Sequence, residues 1–117
     1  LGITFSSMPN FFAMYGPGTN LAHAGSIIFN SECQINYICY AIEYMVSNNH
    51  KVIKVKPEIE KQYQDRFDER HQKMVWQHSK VSSWYQNSKG KVVTTSPWRL
   101  VEYWNWTNNF NGDDYEF

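Results

Sequence analysis

Only two cysteines, four prolines and six glycines occur among the 117 residues, and 11 lysines and arginines are balanced by 11 aspartates and glutamates. Two thiols do not make a disulfide framework. Cys33 and Cys39 fall six apart in a stretch that reads as helical, where six steps of about 100° turn them to different faces, so they fit a reducing, cytoplasmic setting. A net charge of zero gives no electrostatic reason to expect nucleic acid or an anionic membrane as partner. No run of about 18 apolar residues occurs and no basic-then-apolar leader precedes the chain, so neither a spanning helix nor a signal peptide is expected. His23, His50, His71 and His78 have no Cys, Asp or Glu partner at finger, zincin or EF-hand spacing, and no metal site is expected. A P-loop, a GxGxxG fingerprint and a nucleophile elbow are all missing, so no catalytic residue is expected in this chain.

What the chain has in excess is rings: five Trp, eight Tyr and seven Phe, 17% of all residues. A single domain of this length does not easily bury them all, so some are expected to cover a ligand or another part of a larger protein. The start at Leu1 without an initiator Met fits a fragment or a processed terminus. Basic residues dominate between Lys51 and Lys91, whereas the tail from Asn108 onward carries only acids, a pattern of a solvated helix face beside an acidic terminus.

Phe11 to Tyr15 is a short apolar run bounded by Pro9-Asn10 and Gly16-Pro17-Gly18, which predicts a buried strand followed by a tight turn. After a loop of small residues, Ser26 is placed to cap a helix from Ile27 to about Val46. That helix carries two apolar stripes, one of Ile28, Ile35, Ile38, Ile42 and Met45, the other of Phe29, Cys33, Tyr37, Tyr40 and Tyr44, and is expected to be buried between layers. Glu32, beside the first stripe, is expected to be paired. Lys51 to Lys56 predicts a short extended piece, and Pro57 opens a second helix reaching about His78. Asn87-Ser88-Lys89-Gly90 between two short β-prone runs predicts a hairpin, and Ser96-Pro97 leads into a short helix over Trp98 to Trp106, with the residues from Asn108 as tail. The expected fold is an α+β fragment: a short buried strand, two long helices, a C-terminal β-hairpin and a short helix. Residues 1–50 and 51–117 form its two parts.

The order strand, Gly16-Pro17-Gly18-Thr19-Asn20, loop and helix N-terminus brings backbone N–H groups and a positive dipole end to one place, suited to an anionic or electron-rich ligand. The stretch Met8-Pro9-Asn10-Phe11-Phe12-Ala13-Met14-Tyr15-Gly16-Pro17-Gly18-Thr19-Asn20-Leu21-Ala22-His23, followed by Gly25-Ser26-Ile27-Ile28, closely resembles the last flavin-contacting segment of flavin-dependent monooxygenases of the Baeyer-Villiger type. Val75-Trp76, Ser83-Trp84-Tyr85, Gly90-Lys91, Thr94-Thr95, Pro97, Glu102-Tyr103 and Asp113-Asp114-Tyr115 resemble the family's C-terminal hairpin, helix and terminal motif. Two sequence departures stand out: Gly18 replaces a common Asn, and Ala24 is an extra residue before Gly25.

The resemblance implies the C-terminal part of a Rossmann-type enzyme that binds FAD and NADP and uses NADPH and O₂ to insert one oxygen atom into a ketone or a soft heteroatom. The FAD and NADP domains would lie upstream as its partners, this chain alone being inactive and inclined to self-associate. Carried over by position, Gly16, Pro17, Thr19, Asn20 and Ser26 would contact FAD. Leu21, Ala22 and His23 would approach the small-molecule substrate. Ser83 and Trp84 would contact NADP. The alternative from another class is an aromatic-rich module binding a protein or glycan without catalysis.

Overall fold

In a computed structural model, which describes residues 1–22, 25–78, 80 and 83–117, the chain is organised by one long helix, α1 (Ile27–Ser47). Ser26 caps it: its backbone is extended and its Oγ accepts from the Phe29 N–H at 3.3 Å. Uninterrupted by Gly or Pro, its 21 residues reach about 31 Å. Asn49, at φ +55°, turns the chain out of the helix. β1 (Lys54–Val55) then pairs antiparallel with β2 (Tyr115–Glu116), Lys54 opposite Glu116 and Val55 opposite Tyr115. α2 (Pro57–His71) begins with proline where no N–H is needed, and Glu58 and Glu60 lie in its first turn near the positive dipole end. α3 (Leu100–Thr107) packs across α1. Thus three α-helices, two short 3₁₀ helices and a two-stranded antiparallel sheet make up the regular structure of the described residues.

The core draws on both ends of the chain: Ile3, Cys33, Tyr37, Ala41, Ile53, Val55, Tyr103 and Tyr115 form one buried cluster. Its polar atoms are paired internally. Tyr37 and Tyr115 share a hydroxyl hydrogen bond of 2.7 Å, Thr4 Oγ1 lies 3.2 Å from the Tyr115 hydroxyl, and the Tyr103 hydroxyl donates to the Leu1 carbonyl at 2.9 Å. Burial pushes all three phenols upward in pKa, so they stay neutral donors and acceptors. A second seam joins α2 to α3. Arg70 pairs with Glu102 at 3.2 Å, Trp98 Nε1 donates to the Tyr63 hydroxyl at 2.9 Å, and Trp98 meets Trp106 edge-on at 5.0 Å. Many of the surplus rings are therefore used inside the chain.

Several expectations are corrected. Phe11 to Tyr15 is not a strand: Asn10 and Tyr15 take positive φ (+57° and +54°), and Phe11 and Met14 are half exposed. An extended run needs a paired neighbour for its backbone, and here that backbone is held by single bonds instead, Ala13 N–H to the Ile3 carbonyl and Asn10 N–H to the Ile53 carbonyl. α1 buries one face of Asn30, Cys33, Gln34, Tyr37 and Ala41, while Ile28, Ile35 and Ile42 are exposed and Glu32 stands in solvent. α2 stops at His71, with a 3₁₀ turn at Val75–Gln77 taking the chain on, so His78 lies off the helix. The residues from Asn108 are no loose tail, because Tyr115 is a core residue and β2 completes the sheet. The hairpin turn is present in minimal form, as one antiparallel bridge between Gln86 and Val92 closed by Gly90 at φ +73°. The chain measures 52 × 27 × 17 Å with a radius of gyration of 15.0 Å, against about 13 Å for a compact domain of this length. Much of α1 is left uncovered.

Candidate cofactor-contacting site

The Gly16–Asn20 loop is folded by its own short-range bonds. Thr19 N–H and Thr19 Oγ1 both donate to the Gly16 carbonyl, at 3.3 and 2.7 Å, and the Tyr15 hydroxyl donates to Asn20 Oδ1 across the loop. Glycine is required twice. A Cβ on Gly16 would lie 2.2 Å from the Gly2 carbonyl oxygen, and one on Gly18, at φ +73°, would lie 2.6 Å from the Phe67 ring. The second contact explains the departure at position 18: the Phe67 ring of α2 occupies the space that an Asn side chain would need.

Three elements then fix the loop. From α1, Gln34 Oε1 accepts from the Tyr15 N–H at 2.9 Å while its Nε2 donates to the Tyr103 hydroxyl at 3.1 Å, and Asn30 Nδ2 donates to the Thr19 carbonyl at 3.3 Å. From the hairpin's far strand, Asn20 forms a parallel bridge with Thr95, its N–H donating to the Thr94 carbonyl at 3.0 Å and its carbonyl accepting from Ser96 N–H at 2.8 Å. From α2, His71 lies 2.8 Å through Nε2 from the Thr95 carbonyl. Because a carbonyl can only accept, the His71 proton sits on Nε2, and burial holds this imidazole below its ordinary pKa and neutral.

Of the residues singled out from the sequence, Gly16, Pro17, Thr19 and Asn20 sit together in this loop, and Asn30 ties it to the start of α1, where Ser26 lies. Pro17 faces solvent and Gly16 and Asn20 are partly exposed, whereas Thr19 turns its side chain inward and is buried. Leu21 and Ala22 follow, half-buried; His23 and the extra Ala24 lie outside the described residues. The first turn of α1 is open, with Ser26, Ile27 and Ile28 all exposed. The first intrahelical bond runs from Asn30 N–H to the Ser26 carbonyl, so the Ile27 and Ile28 N–H groups precede the helical ladder. Such a turn can hold an anionic or electron-rich edge.

Ser83 and Trp84 stand on the near side of the hairpin. Ser83 Oγ accepts from Tyr85 N–H at 3.2 Å and the Ser83 carbonyl accepts from Gln86 N–H at 3.0 Å, a local turn that carries Trp84 outward. Trp84 is 85% exposed, touching Tyr85 at a ring distance of 5.0 Å, and this excludes a hairpin-core role for it within the chain. The hairpin reaches the loop through its other strand, at Thr95.

A cavity of about 630 Å³ lies on the α2 side of the loop, where Pro17 and Gly18 meet Tyr63, Phe67, Arg66 and Trp106. Two of its polar groups are engaged: Tyr63, whose pKa burial pushes up to about 12, accepts from Trp98, and Arg66 lies over the Trp106 ring at 5.8 Å. Neither Ser26 nor Leu21 lines it, so the cavity is not the space in front of α1. Among the described residues, no group of three His, Cys, Asp or Glu side chains could hold a metal, and no helix is long and apolar enough to cross a membrane.

Sequence reasoning missed Asn30, Gln34 and His71 as holders of the loop. No local pattern marked them, since a carboxamide in a helix is ordinarily solvated and its burial follows only from what the helix packs against.

No family model matches this chain, and no solved structure does. Curated relatives do. An uncharacterised monooxygenase of Sinorhizobium fredii is 39% identical over 115 residues, 98% of this chain and 17% of that protein. An FAD-binding monooxygenase of Aspergillus niger is 30% identical over 106 residues, 87% of this chain and 17% of that protein. A Baeyer-Villiger monooxygenase of Streptomyces coelicolor is 29% identical over 103 residues, 87% of this chain and 20% of that protein. The chain thus spans between a sixth and a fifth of the relatives it matches. Over nearly its whole length the chain is therefore similar to one part of much longer monooxygenases, FAD-binding and Baeyer-Villiger enzymes among them.

Proposed function

We propose that this chain is the C-terminal part of an FAD-dependent, NADPH-using monooxygenase with a Rossmann-type dinucleotide-binding body, and that its Gly16–Asn20 loop and α1 N-terminus contact the flavin ring. The observation that carries this reading is the loop itself. It is anchored from the inside by α1, α2 and the hairpin, while Pro17 and the open first turn of α1 face outward. The residues present fit a flavin edge. Unladdered Ile27 and Ile28 N–H groups and the helix dipole favour the negative charge that a reduced ring carries, with Ser26 beside them. FAD, when bound, supplies the oxygen-inserting chemistry, with O₂ as oxidant and a ketone or soft heteroatom as substrate. The chain's own residues orient the ring, exclude water and present Leu21 and Ala22 toward the substrate side.

Trp84 is assigned to NADP contact. Its ring, held outward by the Ser83 turn, needs a cover, and an aromatic face stacks readily on a nicotinamide or its ribose. The exposed isoleucine line of α1 is assigned to the remainder of the same protein, the FAD and NADP domains. In the full-length protein, visible absorbance retained on purification and NADPH consumption stimulated by a panel of ketones and sulfides test the reading. A colourless protein that binds no added FAD sinks it. Trp84→Ala is expected to raise the KM for NADPH about tenfold with flavin content unchanged; equal loss of flavin and NADPH response would return Trp84 to a packing role.

A further inference from the structure

We infer that Asn30 and Gln34 are positioning residues for the cofactor loop, a pair of buried carboxamides on one face of α1 that sets the two ends of the Gly16–Asn20 turn. The inference rests on the loop contacting flavin. Gln34 is fully buried and Asn30 is 2% exposed, so each pays the full cost of desolvating an amide unless its hydrogen bonds are made. They stand one helical turn apart on α1, and their targets in the loop, Tyr15 and Thr19, are likewise four residues apart in sequence. Gln34 Oε1 takes the Tyr15 N–H immediately before Gly16, at 2.9 Å, and Asn30 Nδ2 gives to the Thr19 carbonyl immediately before Asn20, at 3.3 Å. Tyr15 is also where the backbone is left-handed, at φ +54°, a conformation that a tyrosine takes only when its surroundings hold it. The outer end of Gln34 is fixed in turn, because its Nε2 donates to Tyr103 of α3 and that hydroxyl donates to the Leu1 carbonyl. A helix whose N-terminus faces the flavin therefore also sets the loop beside it, so dipole and loop move as one body.

The test uses the full-length protein stripped of flavin. In the wild type, adding FAD should slow amide exchange across residues 16–20; no slowing would overturn the flavin-contact reading itself, and this inference with it. Given that slowing, Gln34→Met, which keeps the volume and removes both hydrogen bonds, is expected to raise the FAD dissociation constant about tenfold and to shift the visible absorption of the bound flavin. Gln34→Glu, which when protonated can still accept from Tyr15 N–H and donate to Tyr103, should restore most of the affinity. Ala41→Gly supplies the control, since Ala41 is buried on the same helix face without a bond to the loop, and should lower thermal stability while leaving FAD affinity and spectrum unchanged. An unchanged dissociation constant in Gln34→Met overturns the inference while leaving the flavin reading intact. Equal weakening in Gln34→Met and Ala41→Gly also overturns it, by reducing Gln34 to general stability. If Gln34→Met does not fold, Asn30→Ala carries the same comparison at the other end of the loop.

Discussion

The two faces of α1 are opposite to what an amphipathic surface helix shows. Its buried face carries two carboxamides, Asn30 and Gln34, among Cys33, Tyr37 and Ala41, whereas its exposed face carries Ile28, Ile35, Ile42 and Val46, the first and last 70% and 74% exposed. On a soluble helix the isoleucines would go in and the amides out, at about 2 kcal/mol for each isoleucine buried. The inner face is polar because it does local work, holding a turn whose backbone groups have no sheet to pair with. The outer face is apolar in the way of a surface that meets a partner, the role the proposed function assigns to the rest of the protein. On that proposal one helix serves two packings at once, which would account for both stripes being written into its sequence.

The sharpest way to break the comparison is to charge the outer face. The double variant Ile35→Lys with Ile42→Lys should be nearly silent in the 117-residue chain, within about 0.5 kcal/mol by denaturant unfolding, because both side chains are already half exposed. In the full-length protein the same pair should cost about 4 kcal/mol or more and lower the yield of soluble flavoprotein, since two buried isoleucines are lost and two ammonium groups have no partner. Equal tolerance in both settings would mean that nothing covers this face. The inner face should behave in the opposite manner. Tyr115→Ala removes a core ring stacked on Phe110 at 5.0 Å and the hydrogen bond to Tyr37, and is expected to cost about 3 kcal/mol in the short chain and the full-length protein alike. A cost confined to one setting would show that the core is not self-contained.

How much of this could be read from the sequence follows the same division. α1 was legible almost to the residue, through Ser26 as cap and the 3.6-residue spacing of its apolar groups, and so was Pro57 opening α2, because caps and proline act within one turn. Gly90 closing the hairpin was legible for the same reason. The site was legible as a place, the glycine loop and the helix start, but not as a set of supports. Asn30, Gln34 and His71 act on backbone atoms up to 24 residues away in sequence, and no local pattern records such a bond. Which stripe of α1 turns inward was also hidden, since both are apolar and the choice depends on what each one meets. Phe11 to Tyr15 failed for want of a neighbour: apolar content alone favoured a strand, while left-handed Asn10 and Tyr15 and single backbone bonds make it an irregular brace. Tyr115 was lost in an acidic tail that is ordered by long-range contacts, the pairing of β1 with β2 and the hydroxyl bonds to Tyr37 and Thr4 among them.

The smallest expected effect sharpens the buried side of the comparison by extending it to α2. His71 is 2% exposed, donates from Nε2 to the Thr95 carbonyl and has, among the described residues, no hydrogen-bond partner for Nδ1. Burial is the main cause of its lowered pKa, with Lys91 lowering it further and Asp68 and the Thr95 bond pulling it back. Because the folded pKa lies below that of the unfolded chain, about 6.5, the unfolded state takes up the proton first as pH falls. Stability attributable to His71 is therefore complete above about pH 6.5 and declines below it, by at most about 1.4 kcal/mol per pH unit, until the folded histidine protonates as well. His71→Gln keeps an amide donor for the Thr95 carbonyl and removes the titration, so its stability should depend less on pH between 7 and 5 than that of the wild type, as read by denaturant unfolding at each pH. Identical slopes would remove His71 from the set of buried polar groups that hold the loop, and leave α1 alone in that role.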